Sequence, residues 1–222
     1  MNLYFVLDFL KDLAINNNKE WFAQNRERYN MIRKEAENFV DLIKNEIHTF
    51  DPHIPNIDAK SCMYRINKDA RFTDPAEGPY KENIGAFISK GGKTGSFPGY
   101  YIHIEPGACS LEGGIYSPES PILSSLRSEI SNNFDEFNTI VTNKAFIRFF
   151  NKVEGKSLVK VPRQYSVNHP ASEYLKMKSL TVFHSVSDEM VCSNSFPQYA
   201  TDVFKAMSPL IQFMNDAIDN IE

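Results

Sequence analysis

The sequence predicts an α+β fold: a mostly antiparallel central sheet packed against long N- and C-terminal helices. Three observations predict it. Apolar residues recur at spacings of three and four over the first fifty positions and again after residue 196. Between these regions the pattern changes to alternation, in short β-rich runs bounded by Gly, Pro or Ser. Strands in the middle with helices at both ends favour an antiparallel sheet over a βαβ arrangement. No linker, internal repeat or low-complexity segment divides the chain, so residues 1–222 are expected to form one domain.

In "YFVLDFLKDLAI", Phe5, Val6, Phe9, Leu10 and Leu13 make one apolar stripe. "NNNK" interrupts it, with Asn18 suited to cap the next helix. From Lys19 to about Ile47 the residues Trp21, Phe22, Tyr29, Ile32, Ala36, Phe39, Ile43 and Ile47 share a face, which predicts one long amphipathic helix. Two prolines in "DPHIPNIDA" end it. "SCMYRIN", "GAFIS", "GYYIHIE", "SLEGGIY" and "LTVFHSV" then read as strands. "SPILSSLRSEISNNF", "NKAFIRFF" and "HPASEYLKMK" read as helices, the first with Pro121 in its opening turn. The last helix carries Ala200, Val203, Phe204, Met207, Leu210, Ile211, Met214 and Ile218, with a kink expected near Pro209.

Composition narrows the function classes. Seventeen Phe and ten Tyr supply enough apolar surface to offset the entropy of ordering, which excludes a wholly disordered chain. A net charge of −4 leaves no global basic surface for nucleic acid or an anionic membrane. Cys62, Cys109 and Cys192 are odd in number and far apart, which argues against a disulfide framework or a cysteine-rich zinc site. The opening "MNLYFVLDFLKDL" has no basic leader, and its apolar run is too short for a signal sequence or a membrane span. A cytoplasmic protein without membrane attachment is expected.

Several motifs carry little weight. "GKT" at Gly92–Thr94 ends like a P-loop, but position 87 is Phe where that motif needs Gly, and "GSFPGYY" leads into a strand instead of a helix. "KGGKTGSFPG" therefore reads as a flexible loop. His103 and Glu105 leave one face of a strand, yet a catalytic zinc usually takes three protein ligands and no third is in view, so no metal is expected. No motif calls for a cofactor. Cys62 or Cys109 with His103 as base is a possible nucleophile pair, though strand cysteines are usually small core residues.

Strand phase is more informative. Tyr101, His103 and Glu105 share one face of "GYYIHIE", and Met63, Arg65 and Asn67 one face of "SCMYRIN". If Tyr64, Ile66, Tyr100, Ile102 and Ile104 pack under helices, Arg65, Tyr101, His103 and Glu105 fall on an open polar face. That face is either the floor of a cleft or plain solvated sheet. His103, with Glu105 as neighbour, is the expected proton-transfer residue, because imidazole titrates near neutral pH.

The densest charge lies between Lys60 and Lys93: seven basic against four acidic residues, a local +3 in a chain of −4. Arg65, Lys68 and Arg71 offer cationic groups suited to phosphate or carboxylate. Asp69 is placed to orient an arginine. Tyr80 and Lys81 are placed to close over a ligand, and Phe72 to wall it. Either these residues bind a small anionic molecule, with or without turning it over, or they form an ion-pair network pinning the 67–83 connection. A non-enzymatic module docking an acidic partner or nucleic acid on the same loop is the competing class. Nucleic acid asks for a wider basic surface than +3 over one loop.

"RINKDARF" followed by "PYK" resembles the Arg-x-x-Arg-Asp-x-Arg-Phe … Pro-Tyr-Lys signature of a bacterial family of uncharacterised proteins, the domain of unknown function 2461 family. "FLKDLAINNNKEWFAQNRERY", "YYIHIEPG", "GGIYSP" and "LKMKSLTVFH" are similar to its pattern along most of the chain. The resemblance places the signature on Arg65, Lys68, Asp69, Arg71, Phe72, Pro79, Tyr80 and Lys81. Lys68 stands where the family usually has Arg, keeping the charge without the guanidinium fork. The family has no established activity; the resemblance implies that the basic cluster is a site.

Overall fold

The computed structural model describes residues 1–69, 71 and 78–219. Helix α1 (Tyr4–Ile15) buries Val6, Leu7, Phe9, Leu10 and Leu13, the stripe its spacing predicts except for exposed Phe5. Asn18 caps α2 (Lys19–Gln24), its side chain accepting from the Trp21 amide at 2.9 Å. The single helix expected from Lys19 is divided: α2 stops at Gln24 and α3 (Arg26–Phe50) begins after Asn25. The Asn25 side chain donates to the Trp21 carbonyl at 3.0 Å, offering that carbonyl a partner outside the helical ladder.

After α3 and the short α4 (Ala59–Cys62) comes a four-stranded antiparallel meander in sequence order: β1 (Ile84–Ser89), β2 (Gly99–Ile104), β3 (Ser110–Ile115) and β4 (Leu180–Ser185). Between β3 and β4 lie α5 (Ser120–Asn132), α6 (Phe134–Val141), α7 (Lys144–Phe149) and α8 (Ser172–Leu175). Short α9 (Asp188–Val191) precedes the final α10 (Phe196–Asp219). In α10 the ring of Pro209 removes the amide that would bond the Lys205 carbonyl. Ser208 supplies the missing donor, its hydroxyl reaching that carbonyl at 3.0 Å.

The register sorts the sheet into two faces. Ile84, Ala86 and Ile88 oppose Ile104, Ile102 and Tyr100, and Leu111 and Val182 continue this buried face. Helices α3 and α10 cover it: Phe39 stacks on Phe196 at 4.9 Å and Tyr100 meets Phe204 edge-on at 5.5 Å. At the bottom of this core the Tyr100 hydroxyl donates to the fully buried Asp51 at 2.8 Å. The other face carries Phe87, Tyr101, His103, Glu112 and Phe183, and among the described residues no helix covers it.

Four of the five expected strands form; "SCMYRIN" does not. Cys62 closes α4, and residues 63–67 follow β1 only through an isolated bridge from Met63 to Ala86 and the bond from the Tyr64 amide to Gly85. Met63 and Ile66 are buried, a spacing of three instead of two. Long side chains serve the carbonyls here: Arg33 donates to Tyr64 at 2.9 Å and Lys93 to Met63 at 2.7 Å. Tyr64, expected on the helix-covered face, instead meets Tyr101 edge-on at 6.2 Å on the open side. Arg65 is exposed.

Candidate functional site

The two halves of the basic motif meet. The Lys68 amide donates to the Pro79 carbonyl at 3.0 Å and the Lys81 amide to the Ile66 carbonyl at 2.7 Å, with Asn67 and Tyr80 bridged between them. Asn17 clamps the far side, its amide donating to the Tyr80 carbonyl at 2.9 Å and its oxygen accepting from the Tyr80 amide at 3.1 Å. The same amide nitrogen reaches Glu82 at 3.1 Å. Gly78, at φ 75°, lies against Asn17 so closely that a β-carbon would fall 2.4 Å from its carbonyl oxygen, so only glycine fits both conformation and space.

Beside this hairpin base opens a cavity of about 780 Å³, lined chiefly by Lys68, Lys81, Asn17, Asn18, Glu82 and Glu105. The ammonium of Lys81 stands 5.5 Å from the centroid of the Tyr64 ring. Among the described residues no carboxylate comes within ion-pair distance of it. Burial, and then the charge of Arg65, lower its pKa from the usual lysine value.

Arg65, Asp69 and Arg71 do not line this cavity. Arg71 grips Asp69 through both ends of its fork, Nε to Oδ1 at 3.0 Å and a terminal nitrogen to Oδ2 at 2.6 Å, with its side chain 78% exposed. That bond holds the Asp69 carboxyl below its usual range, the nearby charge of Arg65 contributing less. Arg65 approaches the same carboxylate at 3.8 Å. Asp69 thus orients an arginine as expected, but at the surface. Tyr80 departs from expectation: its ring is buried and stacked on Phe22 at 3.9 Å, so it packs the hairpin onto α2 instead of closing over a ligand. Phe72, the expected apolar wall, lies outside the described residues.

Across the cavity, Glu105 leads back into the sheet. Its carboxylate is 2.7 Å from His103 Nε2, and the Tyr101 hydroxyl is 3.3 Å from His103 Nδ1. With a neutral ring the pattern is satisfied when Nε2–H donates to Glu105 and Nδ1 accepts from Tyr101. Burial pushes the Tyr101 phenol up to about 12, with Glu112 the next cause. The cysteine alternative loses its base, since Tyr101 and Glu105 occupy both imidazole nitrogens. Burial also raises the Cys62 thiol and pushes that of Cys109 to about 11, away from thiolate chemistry. His184 and His169 sit elsewhere, bonded to Tyr199 and Ser131. Among the described residues no group of three His, Cys, Asp or Glu side chains is placed to hold a metal ion.

A family model described as "Conserved hypothetical protein (DUF2461)" matches residues 5–213. The chain belongs to the DUF2461 family. No curated protein matches it, and no solved structure does. The DUF2461 description names no activity, so chemistry rests on geometry. One residue of the candidate site escapes a linear reading. Asn17 acts on a backbone 63 positions away, with no local signal in "NNNK". Tyr101 was signalled, because the strand alternation puts it on the face of His103. No helix among the described residues is long and apolar enough to cross a membrane.

Proposed function

We propose that the cavity at the hairpin base binds a small anionic compound, such as one carrying a phosphate or a carboxylate. The observation that carries this is Lys81: a partly desolvated ammonium in a concave wall, with Lys68 beside it and no carboxylate of the described chain in ion-pair range. An ammonium in that position gains from an incoming anion more than one that already holds a counter-charge. Lys68 adds charge, while the side-chain amides of Asn18 and Asn83 add polar groups that orient the ligand. Arg65 contributes its field from the surface, and Arg71 stays paired with Asp69.

If the compound is turned over as well as held, Glu105 is the group that faces it. His103 then acts through Glu105, and Tyr101 fixes the imidazole from the other side. Three free cysteines fit a reducing, cytoplasmic setting.

Docking of an acidic protein or nucleic acid would instead recruit the exposed Arg65 and Arg71. Isothermal titration with inorganic phosphate and succinate separates the two. Saturable binding lost in Lys81→Met and kept in Arg65→Ala supports the cavity. Loss in Arg65→Ala, with Lys81→Met unaffected, supports surface docking.

A further inference from the structure

The uncovered sheet face holds a second cavity, of about 740 Å³, that anion binding does not use. Its floor is a row of directly opposed residues, one from each strand: Phe87, Tyr101, Glu112 and Phe183. At a strand spacing of about 4.8 Å this row crosses roughly 14 Å of sheet. Phe183 is 51% exposed, a large aromatic side chain left open among the described residues. Tyr64 and Phe97 continue the aromatic lining towards the β1–β2 loop.

Glu112 is the unusual member of the row. Both cross-strand neighbours are aromatic, and its recorded hydrogen bond comes from the Ser110 hydroxyl to Oε1, at 2.6 Å. Among the described residues no cation lies in ion-pair range of it. A carboxylate set between two aromatic side chains, in a concave site, favours a cation over an anion. Aromatic faces also carry negative potential, so rings and carboxylate act in the same direction. Glu119 and Glu154 line the same cavity against one lysine, Lys93. That lysine is already committed to the Met63 carbonyl and to the Tyr64 ring, 5.8 Å from its centroid. Three carboxylates against one lysine line this groove, whereas two of each line the cavity beside Lys81.

We infer that this groove is a second binding site, for a small organic cation bearing an alkylammonium group. The ring faces of Tyr101 and Phe183 pack the alkyl groups while Glu112 neutralises the charge. The margin of the groove already shows the interaction within the chain, with Lys81 and Lys93 over Tyr64 and Lys90 over Phe97 at 5.4 Å. A sugar would use the same rings but gain nothing from the half-buried charge. A single-stranded nucleic acid would stack on them but meet three carboxylates.

Choline and its uncharged isostere 3,3-dimethylbutan-1-ol separate these cases, titrated into the full chain and followed by NMR shifts of the sheet amides. The expected result is saturable choline binding, with the isostere weaker by about tenfold or more. Glu112→Gln weakens choline by a similar factor, and Phe183→Ala, at an exposed position, weakens it without affecting folding. Equal affinity for the isostere, full affinity in Glu112→Gln, or no saturable response to choline at tens of millimolar would each overturn the assignment.

Discussion

The hydroxyl of Tyr101 occupies the space that a β-carbon on Gly85 would need: the separation would be 2.6 Å. Gly85 lies directly opposite His103 in the register, so its missing side chain lets the phenol lean along β2 and reach the imidazole. Gly85→Ala is predicted to displace the phenol and to cost about 1–3 kcal/mol in stability, the usual penalty of overpacking. Tyr101→Phe should relieve most of that cost in the double variant. A thermodynamic cycle from urea melts measures the coupling, and additive losses would show that the two residues do not compete for space.

Alkaline titration tests the electrostatics of the same residue. Glu112 disfavours the phenolate, so Glu112→Gln should move the Tyr101 transition from about 12 towards the ordinary tyrosine value. The sign for stability follows from the raised folded value. Tyr101's contribution is fully present below the unfolded pKa of roughly 10 and is lost as pH rises towards 12. Ultraviolet difference spectra, with Tyr101→Phe to assign the transition, check the shift.

Tyr100 faces the opposite way and does a different job. Its 2.8 Å bond to Asp51 lies in the core beneath α10; among the described residues Asp51 Oδ1 has no hydrogen-bond partner, with His53 Nδ1 3.6 Å away. Tyr100→Phe keeps the ring and removes a donor from a buried carboxylate. A loss of about 1.5–3 kcal/mol is expected. At roughly 2–4 °C per kcal/mol for a chain of this size, the melting temperature should fall by about 3–12 °C. An unchanged melting temperature would mean that Asp51 is stabilised by other groups.

Arg71→Ala should behave in the contrary fashion. The Arg71–Asp69 fork has good geometry but sits in solvent, where screening and side-chain entropy cancel most of the attraction. A scanning melt at neutral pH should show no resolvable change. A large loss would reveal a structural strut.

Much of this fold is legible from periodicity, and the exceptions have physical causes. The four meander strands follow their alternation because one face is buried under α3 and α10, which fixes the phase. Residues 63–67 escape it because Arg33 and Lys93 serve their carbonyls, so no ladder imposes a period of two. The break at Asn25 is hidden because Trp21, Phe22 and Tyr29 stay in helical phase across it. At the site, the charge count picked out Lys68 and Lys81, which line the cavity, but could not tell Arg71, tied to Asp69, from Lys81 over Tyr64. Tyr80 looked like a ligand group because a phenol has a donor; its ring surface against Phe22 decides its position.

The most direct test of the anion cavity is anomalous diffraction from crystals soaked in selenate, a heavy isostere of sulfate, with Lys81→Met crystals as control. The account predicts a selenium peak inside the cavity, roughly 3.5–4 Å from Lys81 Nζ (one hydrogen-bonded oxygen away) in the wild type and absent from the variant. A cavity without a peak, or selenate found only on the exposed guanidinium groups of Arg65 and Arg71, would contradict it.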